Sequence, residues 1–102
     1  MEFSGFDWDE ANRHKCQKHG VVIAEIESAF GAPVVILPDN AHSEAERRFR
    51  AIGRTSSGRL MFVVFTERER SPYLKIRSIS ARYMHLKEAS SYEESYPELQ
   101  DR

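Results

Sequence analysis

Three β-strand patterns follow one another in the middle of the chain, at residues 48–55, 59–67 and 73–81. Only the short segments SSG and RERSP separate them, and connections of this length join strands that run antiparallel. The segment RLMFVVFTE is apolar on both of its faces, which indicates a central place in the sheet. This part of the sequence therefore predicts an antiparallel meander as the core of the fold.

A helical pattern lies close to the N-terminus. Asp9 suits the N-cap of a first helix over residues 10–18, because its side chain can accept a hydrogen bond from the first turn. Gly20 follows as a residue that accepts left-handed backbone angles just past a helix end. The aromatic residues before this helix are expected to form a short extended segment that packs on the core: Phe3, Phe6 and Trp8.

The remaining elements complete an α+β arrangement. A second helix is expected from about residue 23, a short strand at 34–37 and a last helix at 83–94. Helices grouped at both ends of the chain are typical of the α+β class. We therefore predict two N-terminal helices, a four-stranded, mainly antiparallel sheet and a C-terminal helix. A single domain spans residues 1–102, with its core at 6–94 and a frayed tail at 95–102.

Composition excludes several classes of protein. No apolar run approaches the roughly 20 residues that a membrane-spanning helix needs. The start of the chain, MEFSGFDWDE, is acidic and lacks the basic and apolar parts of a secretion signal. The single cysteine cannot form an internal disulfide and fits a reducing compartment. These features predict a cytoplasmic protein with no membrane partner.

Charge is segregated along the chain, although the net charge is only −1. Residues 1–41 carry −4, residues 42–82 carry +6 and residues 83–102 carry −3. Nine of the ten cations in the middle segment are arginine, whose planar fork of donors suits phosphate. Such a segment favours a polyanion as partner. Alternatively, the arginines are solubilising and pair with neighbouring glutamates.

Strand parity groups the cations of this basic segment by the strand face from which their side chains project. Arg48, Arg50 and Arg54 are separated by even numbers of residues, so their side chains leave one face of their strand. Lys75 and Arg77 have the same relation on a later strand. If the two strands present these side chains on the same face of the sheet, the cations form one basic surface. The sequence does not determine the strand register, on which this depends.

Cys16 and His19 have the spacing of a metal-ligand pair, and they share a helix face with Trp8 and Asn12. No second pair accompanies them, whereas a zinc site needs about four ligands. Cys16 is therefore expected to be a small buried core residue. The shared face places His19 beside the core. His19 remains either a polar residue at a helix end or a proton-transfer group, since imidazole changes charge near neutral pH.

No other motif points to a cofactor. The sequence has no glycine-rich phosphate loop, no serine elbow and no distinctive pair of carboxylates. We therefore predict that the protein uses neither an organic cofactor nor a metal ion.

Several short motifs, taken together, resemble one known family. In order and spacing, over residues 6–94, they are similar to the BrnT family of bacterial type II toxins. Lys15 departs from the pattern, because many relatives have asparagine at that position. The motifs that carry the resemblance are Trp8-Asp9, Lys18-His19-Gly20, Ile52-Gly53-Arg54, Ile79-Ser80-Ala81-Arg82 and Tyr92-Glu93.

The resemblance implies a function as well as a RelE-like fold. Members of the family are ribonucleases that arrest translation, and a BrnA antitoxin neutralises each of them. The antitoxin carries a DNA-binding half, through which the complex represses its own operon. The expected partners are therefore RNA, a BrnA-type antitoxin, and DNA only through the antitoxin complex.

The resemblance also implies a mechanism of RNA cleavage that needs no metal. A base takes the proton of a ribose 2′-hydroxyl, which attacks the adjacent phosphate, while cations stabilise the charge that gathers there. Motif position and strand parity select the candidate residues. We expect proton transfer by His19, with Lys18 beside it and Glu67 as a second candidate, and phosphate contact by Arg50, Arg54, Arg77 and the catalytic Arg82.

A different class of function also fits the sequence. The chain could be a non-catalytic partner that binds an antitoxin and acts only in repression of the operon. Direct DNA binding by this chain is disfavoured, because the cations lie mainly on strands and no helix-turn-helix pattern is present.

Overall fold

In the computed structural model, the described residues are 3–40 and 46–100. The start of the polar loop expected after residue 41 and the last two residues of the expected tail lie outside this range. The described elements are α1 (Glu10–Cys16), α2 (Ile23–Ala29), β1 (Val34–Pro38), β2 (Arg48–Arg54), β3 (Leu60–Arg70), β4 (Tyr73–Tyr83), α3 (Leu86–Ser95) and a 3₁₀ turn, Pro97–Leu99.

The four strands form one antiparallel sheet in the order β1-β2-β3-β4. The predicted α+β class is confirmed, with two helices before the sheet and one after it. β3 lies in the interior of the sheet, as its apolar pattern indicates. The last strand is longer than expected, because β4 continues to Tyr83 and α3 begins only at Leu86.

Helix α1 is fixed at its start by reciprocal side-chain caps. The Asp9 carboxylate accepts from the Asn12 backbone amide at 3.0 Å, and the Asn12 side chain accepts from the Asp9 amide at 2.7 Å. The Asn12 amide group also donates to the Ser78 carbonyl at 3.0 Å, which ties the helix to β4. The predicted N-cap is therefore confirmed. The helix ends at Cys16, two residues earlier than expected.

One face of the sheet is covered by α1, α2 and the N-terminal aromatic segment. The segment runs beside β4, with Ser4 donating to the Leu74 carbonyl and Asp7 to the Ile76 carbonyl, both at 2.8 Å. Phe3, Phe6 and Trp8 pack against the buried core of this face, as expected. We call this the helical face.

The opposite face of the sheet has a smaller core. Ile52, Leu60 and Phe62 are buried there beneath α3 and the 3₁₀ turn. Leu99 contributes to this core with only 2% of its surface exposed. The expectation of a frayed tail is therefore wrong for residues 95–100. These residues stay on the sheet because they bury an apolar side chain.

Candidate functional site

The register of the sheet shows whether the cations of β2 and β4 lie on the same face. Arg48 on β2 and Arg77 on β4 both pair with Thr66, and residues directly opposite one another share a face. Val64 pairs in the same way with Arg50 and Ser80. The cations of the two strands therefore do lie on one face, opposite the helical face. We call it the arginine face.

A β-bulge is what places Arg77 and Arg82 on the same face. These residues are five positions apart, so a regular strand would direct them to opposite sides. The pairing shifts between Val64 and Phe65, and one residue of β4 is passed over. Bulges re-aim side chains in this way. The result is that Arg82 pairs with Phe62 and Arg77 with Thr66 on the arginine face.

Part of the arginine face is open and concave. A cavity of about 400 Å³ lies beside the region that α3 covers. Three of the seven predicted site residues meet in it, from a loop and two strands that are far apart in the sequence. The residues that line this arginine pocket are His19, Asp39, Arg50, Phe62, Val64, Ser80, Ala81 and Arg82.

Two guanidinium groups converge over one aromatic ring in the pocket. The Cζ atoms of Arg50 and Arg82 lie 5.8 Å and 4.5 Å from the ring centroid of Phe62. Phe62 lies on β3, between the strands that carry the two arginines. Cation–π contact of this kind holds the planar groups in place while leaving their edges free for other partners.

The donors of Arg50 are incompletely used. Its Nε atom is buried and has no hydrogen-bond partner. Within the described part of the chain, none of the ion pairs involves this guanidinium. The paired Arg54 also has an unpartnered Nε, so the feature that distinguishes Arg50 is the lack of a carboxylate partner. A guanidinium without such a partner in an open pocket is suited to an anionic ligand.

Arg82 has a carboxylate partner. Its Nη1 and Nη2 atoms donate to the two carboxylate oxygens of Glu88 at 2.9 Å and 3.1 Å. This hydrogen-bonded pair raises the pKa of Arg82 and lowers the pKa of Glu88. Arg82 is nevertheless 47% exposed at its side chain, so it can still reach a ligand in the pocket.

His19 reaches the pocket because α1 stops early. The chain turns after Cys16, and Gly20 completes the turn with a φ of +75°. His19 is exposed, so the expectation that it lies beside the core is wrong. Cys16 is fully buried and donates to the Ser78 hydroxyl at 3.3 Å, which confirms its role as a core residue.

The other predicted site residues do not line the arginine pocket. Arg54 lies on the arginine face but beneath α3, where it pairs with Glu93 at 3.0 Å and donates to the Leu99 carbonyl at 2.6 Å. Arg77 is held by Asp9 at 2.9 Å, on the side of the N-terminal segment. Both arginines therefore have structural partners of their own.

Lys18 and Glu67 also lie apart from this cavity. Lys18 is exposed in the turn next to His19 and does not line the cavity. Glu67 pairs with Ile76, which belongs to the core of the helical face. The structure thus separates Glu67 from Arg50 and Arg82 by the thickness of the sheet.

Sequence reasoning missed several residues of the site. Ser80 lies in the Ile79-Ser80-Ala81-Arg82 motif, but nothing in that pattern indicates a role for it. Asp39 and Phe62 line the pocket, yet they appear in the sequence only as a turn residue and an apolar strand residue. Their position depends on the register and on the place where β1 ends.

The family comparison agrees with this geometry. The model of a family described as "Ribonuclease toxin, BrnT, of type II toxin-antitoxin system" matches residues 8–88. The chain belongs to the BrnT family. The match includes His19, Arg50 and Arg82, so the whole convergence lies within the region that defines the family. A search of curated proteins found no match.

Membership of this family has two direct consequences. BrnT proteins are ribonuclease toxins, which supports ribonuclease activity for this chain. A toxin of a type II system also has an antitoxin as its partner. Within the described residues of this BrnT protein, no helix is long and apolar enough to cross a membrane.

Proposed function

We propose that this BrnT protein is a cytoplasmic endoribonuclease that cleaves messenger RNA without a metal ion and thereby inhibits translation. The convergence of His19, Arg50 and Arg82 in the arginine pocket carries the proposal. One imidazole and two guanidinium groups supply the two things that RNA transesterification needs, which are proton transfer and stabilisation of phosphate charge.

The reaction begins at a ribose 2′-hydroxyl. His19 takes its proton, and the oxygen attacks the adjacent phosphorus to form a bond. Arg50 and Arg82 donate hydrogen bonds to the phosphate oxygens, where negative charge gathers. The bond from phosphorus to the 5′-oxygen then breaks, and this oxygen takes a proton from water. The products are a 2′,3′-cyclic phosphate and a free 5′-hydroxyl end.

The partner is proposed to be a BrnA-type antitoxin with a DNA-binding half. The arginine face is suited to such a partner, because acidic side chains of the toxin already bind it. Glu88 pairs with Arg82 and Glu93 with Arg54. An acidic antitoxin segment would use the same chemistry and cover the pocket. DNA contact would then come only through the antitoxin.

The same observation favours a second candidate function. A basic face that accepts carboxylates could serve only to bind an antitoxin, as a non-catalytic partner in operon repression. The two candidates differ in a single property, which is cleavage of RNA by the purified protein.

Digestion of RNA by the purified toxin in EDTA separates these functions. We expect cleavage to end in cyclic phosphate, and we expect His19→Ala and Arg82→Ala to abolish growth arrest while the variants still fold. His14→Ala is the matched control, since His14 is exposed on α1 and lies outside the arginine pocket. Intact RNA with clean protein would favour the non-catalytic function. Full toxicity of both variants would show that the site is elsewhere.

A further inference from the structure

A second concavity adjoins the arginine pocket. Its volume is also about 400 Å³, and it shares His19 and Arg82 with the first. It lies beyond Arg82, toward the start of α3. We call it the Tyr83 pocket, and the residues that line it are His19, Arg59, Arg82, Tyr83, Met84, His85 and Leu86.

Arg59 is held in this pocket by stacking. Its Cζ atom lies 3.9 Å from the ring centroid of Tyr83. The ring is itself fixed, because the Tyr83 hydroxyl donates to Glu25 at 2.9 Å. Contact through the flat face of the guanidinium leaves the N–H groups at its edge available to an anion.

Arg59 differs from most arginines of the chain in its partners. Of the ten arginines in the ranges 3–40 and 46–100, six pair with carboxylates and four do not, namely Arg13, Arg47, Arg50 and Arg59. The paired arginines are Arg48, Arg54, Arg68, Arg70, Arg77 and Arg82. Arg50 and Arg59 each line one of the two adjoining concavities, with His19 and Arg82 common to both. This arrangement offers two places for anions on either side of one proposed reaction centre.

We propose that the Tyr83 pocket binds the phosphate of the nucleotide next to the cleaved link, with Arg59 as its ligand. The proposal rests on the proposed function, since it takes the arginine pocket as the place of cleavage. RNA then crosses Arg82 with one phosphate in each pocket. The substrate is a single strand of at least three nucleotides, because two successive phosphates need three nucleosides.

Binding of short RNA strands that cannot be cleaved tests this inference. The probes are a 2′-O-methyl dinucleotide with one phosphate and a 2′-O-methyl tetranucleotide with three, each titrated into the full chain at several salt concentrations. The slope of log K against log salt becomes shallower by about 0.7 for each phosphate of a single strand that the protein no longer neutralises. We expect Arg59→Gln to reduce the tetranucleotide slope by this amount and to leave dinucleotide binding unchanged.

Arg13→Gln is the matched control, because Arg13 is exposed on α1 and lines neither pocket. It should change neither titration. The inference is overturned if Arg59→Gln keeps the slope of the unaltered protein, if it weakens dinucleotide binding equally, or if neither probe binds. RNA digestion by the same preparations reports separately on the proposed function. If RNA is cleaved but Arg59→Gln has no effect on binding, only the inference about the Tyr83 pocket is wrong. If RNA binds but is not cleaved, only the proposed activity is wrong.

Discussion

At the scale of single residues, the site depends on how the donors of each arginine are used. Arg82 has both Nη groups on Glu88, whereas none of the ion pairs among the described residues involves Arg50. A phosphate can therefore bind Arg50 without displacing a carboxylate. This difference makes Arg50 the arginine whose replacement should weaken phosphate binding most directly.

Replacement of Arg50 by glutamine should lower the rate of RNA cleavage about 100- to 1,000-fold, the usual effect of removing one well-placed donor. The urea midpoint of unfolding should change little, because no ion pair is broken. Arg47→Gln is the control, since Arg47 is exposed and lines neither pocket. Equal rates for Arg50→Gln and the unaltered protein would remove Arg50 from the mechanism.

Gly53 is a second position where a single substitution should have a large effect, in this case on stability. A Cβ atom at this point of β2 would collide with the backbone carbonyl of Ala29 at the end of α2. We expect Gly53→Ala to lower the free energy of unfolding by about 1–3 kcal/mol, as overpacking does. Urea denaturation measures this. Gly31→Ala is the control, because its Cβ would lie at an ordinary 3.5 Å from the Ser28 carbonyl. Equal stability of the two variants would contradict the close approach.

At the scale of elements, a carboxylate joins α2 to the turn between β2 and β3. Glu25 accepts hydrogen bonds from the hydroxyls of Ser56 and Ser57, and from Tyr83 at the end of β4. These bonds, that of Ser56 first, lower the pKa of Glu25 from 4.5 to about 2. The charged form of Glu25 is therefore favoured in the folded chain.

The sign of this shift predicts the response to acid. A lowered pKa gives stability that is fully present above about pH 4.5 and is lost as the pH falls toward about 2. The stability difference between the unaltered protein and Glu25→Gln should shrink over this window in urea titrations. Glu94→Gln, at an exposed position on α3, is the control. A difference that stays constant with pH would show that Glu25 does not act through its charge.

The elements themselves were largely predictable, whereas their alignment was not. Alternation and turn residues predicted the strands, and Asp9 marked the start of α1, whereas Gly20 placed its end two residues too late. The bulge after Val64 left no such signal, because it depends on how β3 and β4 fit together. Strand parity alone could not have placed Arg77 and Arg82 on one face.

At the scale of the whole molecule, the two faces of the sheet differ in how completely they are covered. The helical face is closed by α1, α2 and the N-terminal aromatics, while α3 covers only part of the arginine face. The uncovered part holds the arginine pocket, and the Tyr83 pocket adjoins it at His19 and Arg82. Their composition could not be predicted from the sequence, since His19, Arg50 and Arg82 come from distant segments. The family motifs pointed to His19 and Arg82, which line the pockets, but also to Arg54, and strand parity added Arg77. Arg54 and Arg77 both have partners elsewhere.

Mapping of bound RNA on the folded protein shows whether RNA occupies the arginine pocket. The measurement is a titration of ¹⁵N-labelled protein with a 2′-O-methyl RNA oligonucleotide, which has no free 2′-hydroxyl for the attack. We expect the changes in backbone amide shift to concentrate at His19, Arg50, Phe62 and residues 80–82. Shifts confined to the helical face, around Phe6 and Phe30, would contradict it.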